Sequence, residues 1–102
     1  MLISYDTELL QEICYRTLTA VEYLGEESAA SLQTRHSEIQ AARNVFELLV
    51  GKVTIEENTC TLEVPNLVSI QMVPNYGPLG DGELYDWATV ARIKIVGIND
   101  VK

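Results

Sequence analysis

Residues 6–51 read DTELLQEICYRTLTAVEYLGEESAASLQTRHSEIQAARNVFELLVG, and the phase of their apolar positions decides the fold. In the first half Leu9, Leu10, Ile13, Thr17, Val21 and Leu24 recur at three- and four-residue spacing. In the second half Ala29, Leu32, His36, Ile39, Ala42 or Arg43, and Phe46 do the same. A helix turns once every ~3.6 residues, so each set forms one apolar stripe. The stretch is therefore predicted to be a helical hairpin. Asp6 or Thr7 can accept the free N–H groups at its start, with Glu8 favourable in the first turn. Gly25 suits a left-handed residue that ends the first helix, and Gly51 can close the second in the same way. So short a joint makes the two helices antiparallel neighbours.

Outside the hairpin the period changes to two. Met1 to Tyr5 is a short apolar strand that needs a sheet formed later in the chain. Lys52–Glu56 alternates as a half-buried strand should, Glu57-Asn58 is a tight turn in which Asn tolerates positive φ, and Thr59–Val64 alternates again with Cys60, Leu62 and Val64 facing the helices. Pro65-Asn66 turns the chain into a third strand, Leu67–Val73, with Val68, Ile70 and Met72 on one face. Pro74 to Asp86 is a long loop. The strongest β pattern, Val90–Ile98, follows Trp87 and places Ile93 and Ile95 inward and Arg92 and Lys94 outward. The order predicted is β-α-α-β-β-β-β, an α+β domain spanning residues 1–102 with the hairpin packed on one face of a mainly antiparallel sheet.

Seven Lys and Arg residues face fifteen Asp and Glu, a formal net charge of −8. Between Lys52 and Arg92 the chain has no basic residue, only Glu56, Glu57, Glu63, Asp81, Glu83 and Asp86. Such a surface repels nucleic acid and suits a basic protein segment better. Cys14 and Cys60 both fall on core-facing positions, as reduced buried thiols of a cytoplasmic protein would. With one His and no CxxC spacing there is no support for a metal or a cofactor. No run approaches a membrane span, and no signal-peptide pattern follows Met1.

Two stretches bring a family into view. One runs from Gly25-Glu26-Glu27-Ser28-Ala29 through Leu32, Arg35, Ile39, Ala41-Ala42 and Leu48-Leu49. The other is Asp86-Trp87-Ala88-Thr89-Val90 followed by Ile93, Ile95, Ile98 and Asp100. Together with the order of elements they resemble the RelE/ParE superfamily of toxin–antitoxin toxins, closest to its HigB-like plasmid maintenance killer branch. The resemblance implies a RelE/ParE-like fold and a bacterial toxin with an antitoxin partner. It implies metal-free cleavage of mRNA on the ribosome by the base and the cationic side chains of a concave sheet face. At that place the sequence departs from the pattern. The meander lacks Lys and Arg, and the chain closes Asn99-Asp100-Val101-Lys102 without the branch's terminal His. Two alternatives from the same resemblance are an inactive relative that binds itself or a basic segment, and a ParE-type gyrase inhibitor.

Arg92, Lys94 and Lys102 are the candidate phosphate ligands, although a solvated strand face explains the first two equally well. His36, between Leu32 and Ile39, reads as a structural histidine before a catalytic one. Tyr76, Tyr85 and Trp87 flank the glycine-rich loop and could stack on a base or anchor a peptide. Trp87 also fits as a core plug. Glu56 and Glu57 lie at a hairpin tip, where catalytic carboxylates are not expected. Gly77, Gly80 and Gly82 match no phosphate-binding loop.

Overall fold

The computed structural model describes residues 1–76 and 83–101. Among these, five strands form one mixed sheet in the order β1-β5-β4-β3-β2, and three helices cover one face of it. The strands are β1 (Leu2–Tyr5), β2 (Lys52–Glu56), β3 (Thr59–Val64), β4 (Val68–Pro74) and β5 (Arg92–Asp100). The helices are α1 (Glu8–Tyr15), α2 (Thr17–Leu24) and α3 (Glu26–Ala41).

The predicted first helix is in fact two. Arg16 is extended (φ −113°, ψ 113°) and separates α1 from α2. A continuous helix would have carried Thr17 inward on the stripe. The break turns Thr17 out to solvent and brings Ala20 in, so that Leu10, Ile13, Cys14, Ala20 and Leu24 reach the core and Leu9 stays half exposed. Thr7 caps α1, its hydroxyl accepting from the Leu10 N–H at 3.2 Å. Gly25, at φ 86°, makes the joint to α3.

The second helix is shorter than predicted. It ends at Ala41 because Ala42 turns extended, and Asn44 then caps a single 3₁₀ turn, Val45–Glu47. Leaving the helical phase buries Val45 completely and exposes Phe46, the reverse of the stripe. The N-terminal ammonium of Met1 donates to the carbonyls of Ile39, Gln40 and Ala42, a cation at the negative end of α3. Gly51 closes no helix. It turns the chain into β2 at φ 89°.

The meander follows the sequence pattern closely. In the β2–β3 turn the positive φ falls on Glu57 (54°) rather than on Asn58, while Asn66 takes the left-handed position (66°) after Pro65. β1 lies parallel to β5, the one parallel pair among the described strands, with Ile3 opposite Ile93 and Tyr5 opposite Ile95. β5 is thus interior to the sheet. Its register against β4 slips at Gln71/Met72, where Gln71 pairs with Gly97 and Met72 with Ile95. Val96 is the extra residue of this bulge, and it lets Ile95 and Ile98 both face the helices although they are three apart. Ile13, Leu32, Ile39, Leu62, Ile70, Met72, Ile93, Ile95 and Ile98 are the large side chains of the core. Ser28 sits among them, its hydroxyl donating to the Leu67 carbonyl at 2.7 Å.

Candidate functional site

The helices leave one face of the sheet open, and the outward residues of each strand define it. Two rows cross it by register: Gly97–Gln71–Thr61–Thr54 and Asn99–Ser69–Glu63–Lys52. Toward the β1 edge, Lys94 lies between Ser4 and Val73, and Arg92 lies beside Leu2. Asn75 donates to the Ser4 hydroxyl at 3.0 Å, which fixes the polar surround of Lys94. Lys52, Thr54, Glu56, Thr59, Thr61 and Glu63 line a shallow groove at the other end. The face is therefore divided, cationic beside β1 and mostly acidic on the β2–β3 hairpin.

The structure places Arg92 and Lys94 as the alternation predicts, two residues apart on the open face, with Arg92 exposed and Lys94 half-buried. Lys102 lies outside the described residues, as do Asp81 and the glycines Gly77, Gly80 and Gly82. Two guanidinium and ammonium groups at that spacing can hold a phosphate by charge-assisted hydrogen bonds. Glu63, the carboxylate of β3 on this face, is two strands over from β5 and about four residues along it from Lys94, so roughly 16 Å distant. Among the described residues no histidine lies on that face beside Arg92 and Lys94.

His36 is on the other side of the sheet. It is 4% exposed, beneath α1, with Nε2 2.7 Å from the Tyr5 hydroxyl. The Tyr15 ring stands edge-on to it with centroids 5.1 Å apart. Burial holds the imidazole below its ordinary pKa. Burial, and then the hydrogen bond with Tyr15, push the Tyr5 phenol upward. Gln40 donates to the Tyr15 hydroxyl at 3.2 Å. With the Tyr5 and Tyr15 rings edge-on at 5.9 Å between centroids, the assignment consistent with the cluster is a neutral His36 that accepts from the Tyr5 hydroxyl at Nε2. This is a structural histidine, and the tyrosines that hold it were not legible from the helix stripe.

The aromatic residues around the loop are tied to the hairpin tip. Trp87 is buried, and its indole N–H donates to the Glu57 carbonyl at 3.1 Å. Asn58 accepts from the Tyr85 N–H at 2.9 Å, and the Tyr76 hydroxyl accepts from the Ala91 N–H at 2.9 Å. The Tyr76 and Tyr85 rings stack tilted, with centroids 5.4 Å apart. Trp87 is thus a plug and not an exposed anchor. Asp86 caps the 3₁₀ turn Trp87–Thr89 through the Ala88 N–H. That turn aims β5 into the sheet.

Among the described residues no cluster of His, Cys, Asp or Glu could hold a metal ion, and no helix is long and apolar enough to cross a membrane. Comparison with protein-family models, with curated proteins and with solved structures finds no match to this chain.

Proposed function

We propose that the chain is the toxin-family component of a bacterial toxin–antitoxin pair, HigB-like with a RelE/ParE-like fold, working through its open sheet face. What supports this reading is the course of the last strand. The Asp86-Trp87 turn leads β5 to an interior place between β1 and β4, and the strand presents Arg92 and Lys94 on the face that the helices leave bare. In this reading those two side chains bind a phosphate of the target. The face offers them no neighbouring histidine, so target binding outweighs RNA cleavage in the action of this member.

Inducible expression in a bacterial host, scored for growth arrest, tests the proposal. Arrest is expected with the natural chain and relief with R92E/K94E, and with co-expression of the adjacent reading frame. Mapping of RNA 5′ ends and a gyrase supercoiling assay on arrested cells then separate mRNA cleavage from gyrase inhibition. Full growth with soluble, folded protein would overturn the toxin reading.

One observation favours a second reading, that of a non-catalytic module for a basic protein segment. Glu56 and Glu63 line the groove on the β2–β3 hairpin, and Lys52 is the lone cation among its lining residues. Such a groove attracts Lys and Arg side chains. Growth unaffected by expression, together with loss of partner capture in E56Q/E63Q, would establish it.

A further inference from the structure

β2 is an edge strand, and among the described residues no strand pairs with its outer side. A two-residue turn joins it to β3, so Glu56 and Thr59 form the hydrogen-bonded pair next to the turn. Alternation from that pair sends the backbone groups of Thr54 and Glu56 toward β3 and those of Val53 and Ile55 outward. Among the described residues the outward N–H and C=O groups of Val53 and Ile55 have no partner in the chain. Both side chains are only half-buried on the helix side. A bare edge of this kind is a template for another strand.

The side chains on it are self-complementary. Lys52 and Glu56 sit four apart on the open face, both exposed, and among the described residues neither makes an ion pair within the chain. We infer that two copies of this chain pair through β2, antiparallel about Thr54, and join their sheets into one. In that register Val53 and Ile55 of one copy bond to Ile55 and Val53 of the other, which satisfies all the outward backbone groups. Lys52 then lies opposite Glu56 of the second copy, twice, and Thr54 lies opposite Thr54. These fall at the closer, non-hydrogen-bonded positions, where cross-strand side chains interact most.

The charges also select the register. Centring the pair on Lys52 or on Glu56 sets like charges face to face, and centring it on Val53 or Ile55 leaves both charges unmatched. An edge lysine usually discourages strand addition. Glu56 converts it into a key for one alignment. The other edge strand, β1, has no such matched pair: its outward side chains are Leu2 and Ser4. An edge of five residues is a small interface, so the association depends on concentration.

Sedimentation velocity of the whole chain, from micromolar to near-millimolar loading, tests the pairing. Concentration-dependent dimer is expected. E56K and K52E each replace two attractive pairs by two repulsive ones and raise the dissociation constant roughly tenfold. K52E/E56K restores the match and returns it to within a few-fold of the natural chain. Trp87 fluorescence verifies that each variant is folded. A monomer over the whole range, a dimer that ignores the single reversals, or a double variant no better than the singles would each overturn the inference. None of these outcomes bears on growth arrest, so the pairing stands or falls apart from the toxin reading.

Discussion

Replacing His36 by Gln removes a buried titrating group while keeping an acceptor for the Tyr5 hydroxyl. The imidazole is held below its ordinary value of 6.5 by burial, so at mildly acidic pH the unfolded chain binds a proton that the folded chain refuses. Stability contributed by the neutral ring is therefore complete above pH 6.5 and is lost as pH falls below it, until the lowered folded pKa is reached. Its described hydrogen-bond partner is a hydroxyl and not a carboxylate, so nothing there welcomes the imidazolium. Because the unfolded ring titrates at its ordinary value, linkage removes at most about 1.4 kcal/mol between pH 7.5 and 5.5. At a urea slope of about 1–2 kcal/mol/M, that moves the midpoint by roughly half to one molar. Urea titrations at pH 7.5, 6.5 and 5.5, followed by the single, buried Trp87, measure it. The natural chain is expected to lose stability over this range and H36Q to lose much less. Parallel profiles for the two proteins, or a natural chain that gains stability toward pH 5.5, would refute the account of the Tyr5–His36–Tyr15 cluster.

Two glycines separate backbone strain from side-chain crowding. A Cβ on Gly51 would stand 2.8 Å from the Glu63 carbonyl oxygen at φ 89°, so G51A should cost about 1–3 kcal/mol. A Cβ on Gly97 would meet only the movable carboxamide of Gln71, and G97A should stay within about 1 kcal/mol of the natural chain. Thermal unfolding ranks them, and the opposite order would contradict the geometry. Burial pushes the Cys14 thiol up to about 12 and the Cys60 thiol to about 11. Both should resist a thiol-exchange reagent at pH 8 in the native chain and react once urea unfolds it. Rapid labelling of folded protein would refute this burial.

Much of the fold is written in local pattern. Lys52–Glu56 and Thr59–Val64 occupy the residues that period-two alternation marks, because a sheet covered on one face demands that alternation. The joint at Gly25 is equally plain. The break at Arg16 is not, since Leu10, Ile13, Thr17, Val21 and Leu24 satisfy one straight stripe and only packing against the sheet decides for Ala20 over Thr17. Phe46 leaves the stripe for the same reason: once Ala42 leaves the helix, a helical phase no longer applies. The bulge at Val96 is invisible along one strand, because it exists only in the register between β4 and β5. Of the candidate site, the outward Arg92 and Lys94 followed from alternation. The partners of His36 did not, for Tyr5 and Tyr15 come from other elements.

The parallel partnership of β1 and β5 has a kinetic cost. The strand that β1 needs is made some ninety residues after it, so on a growing polypeptide β1 and the helices wait without the strand that ties β1 to the meander. Closure joins segments some ninety positions apart, Leu2 to Arg92, which makes for slow, late consolidation. A nascent chain stopped before Arg92 would expose the apolar side of α1–α3 and the meander together, and would be handled as a chaperone client until β5 emerged.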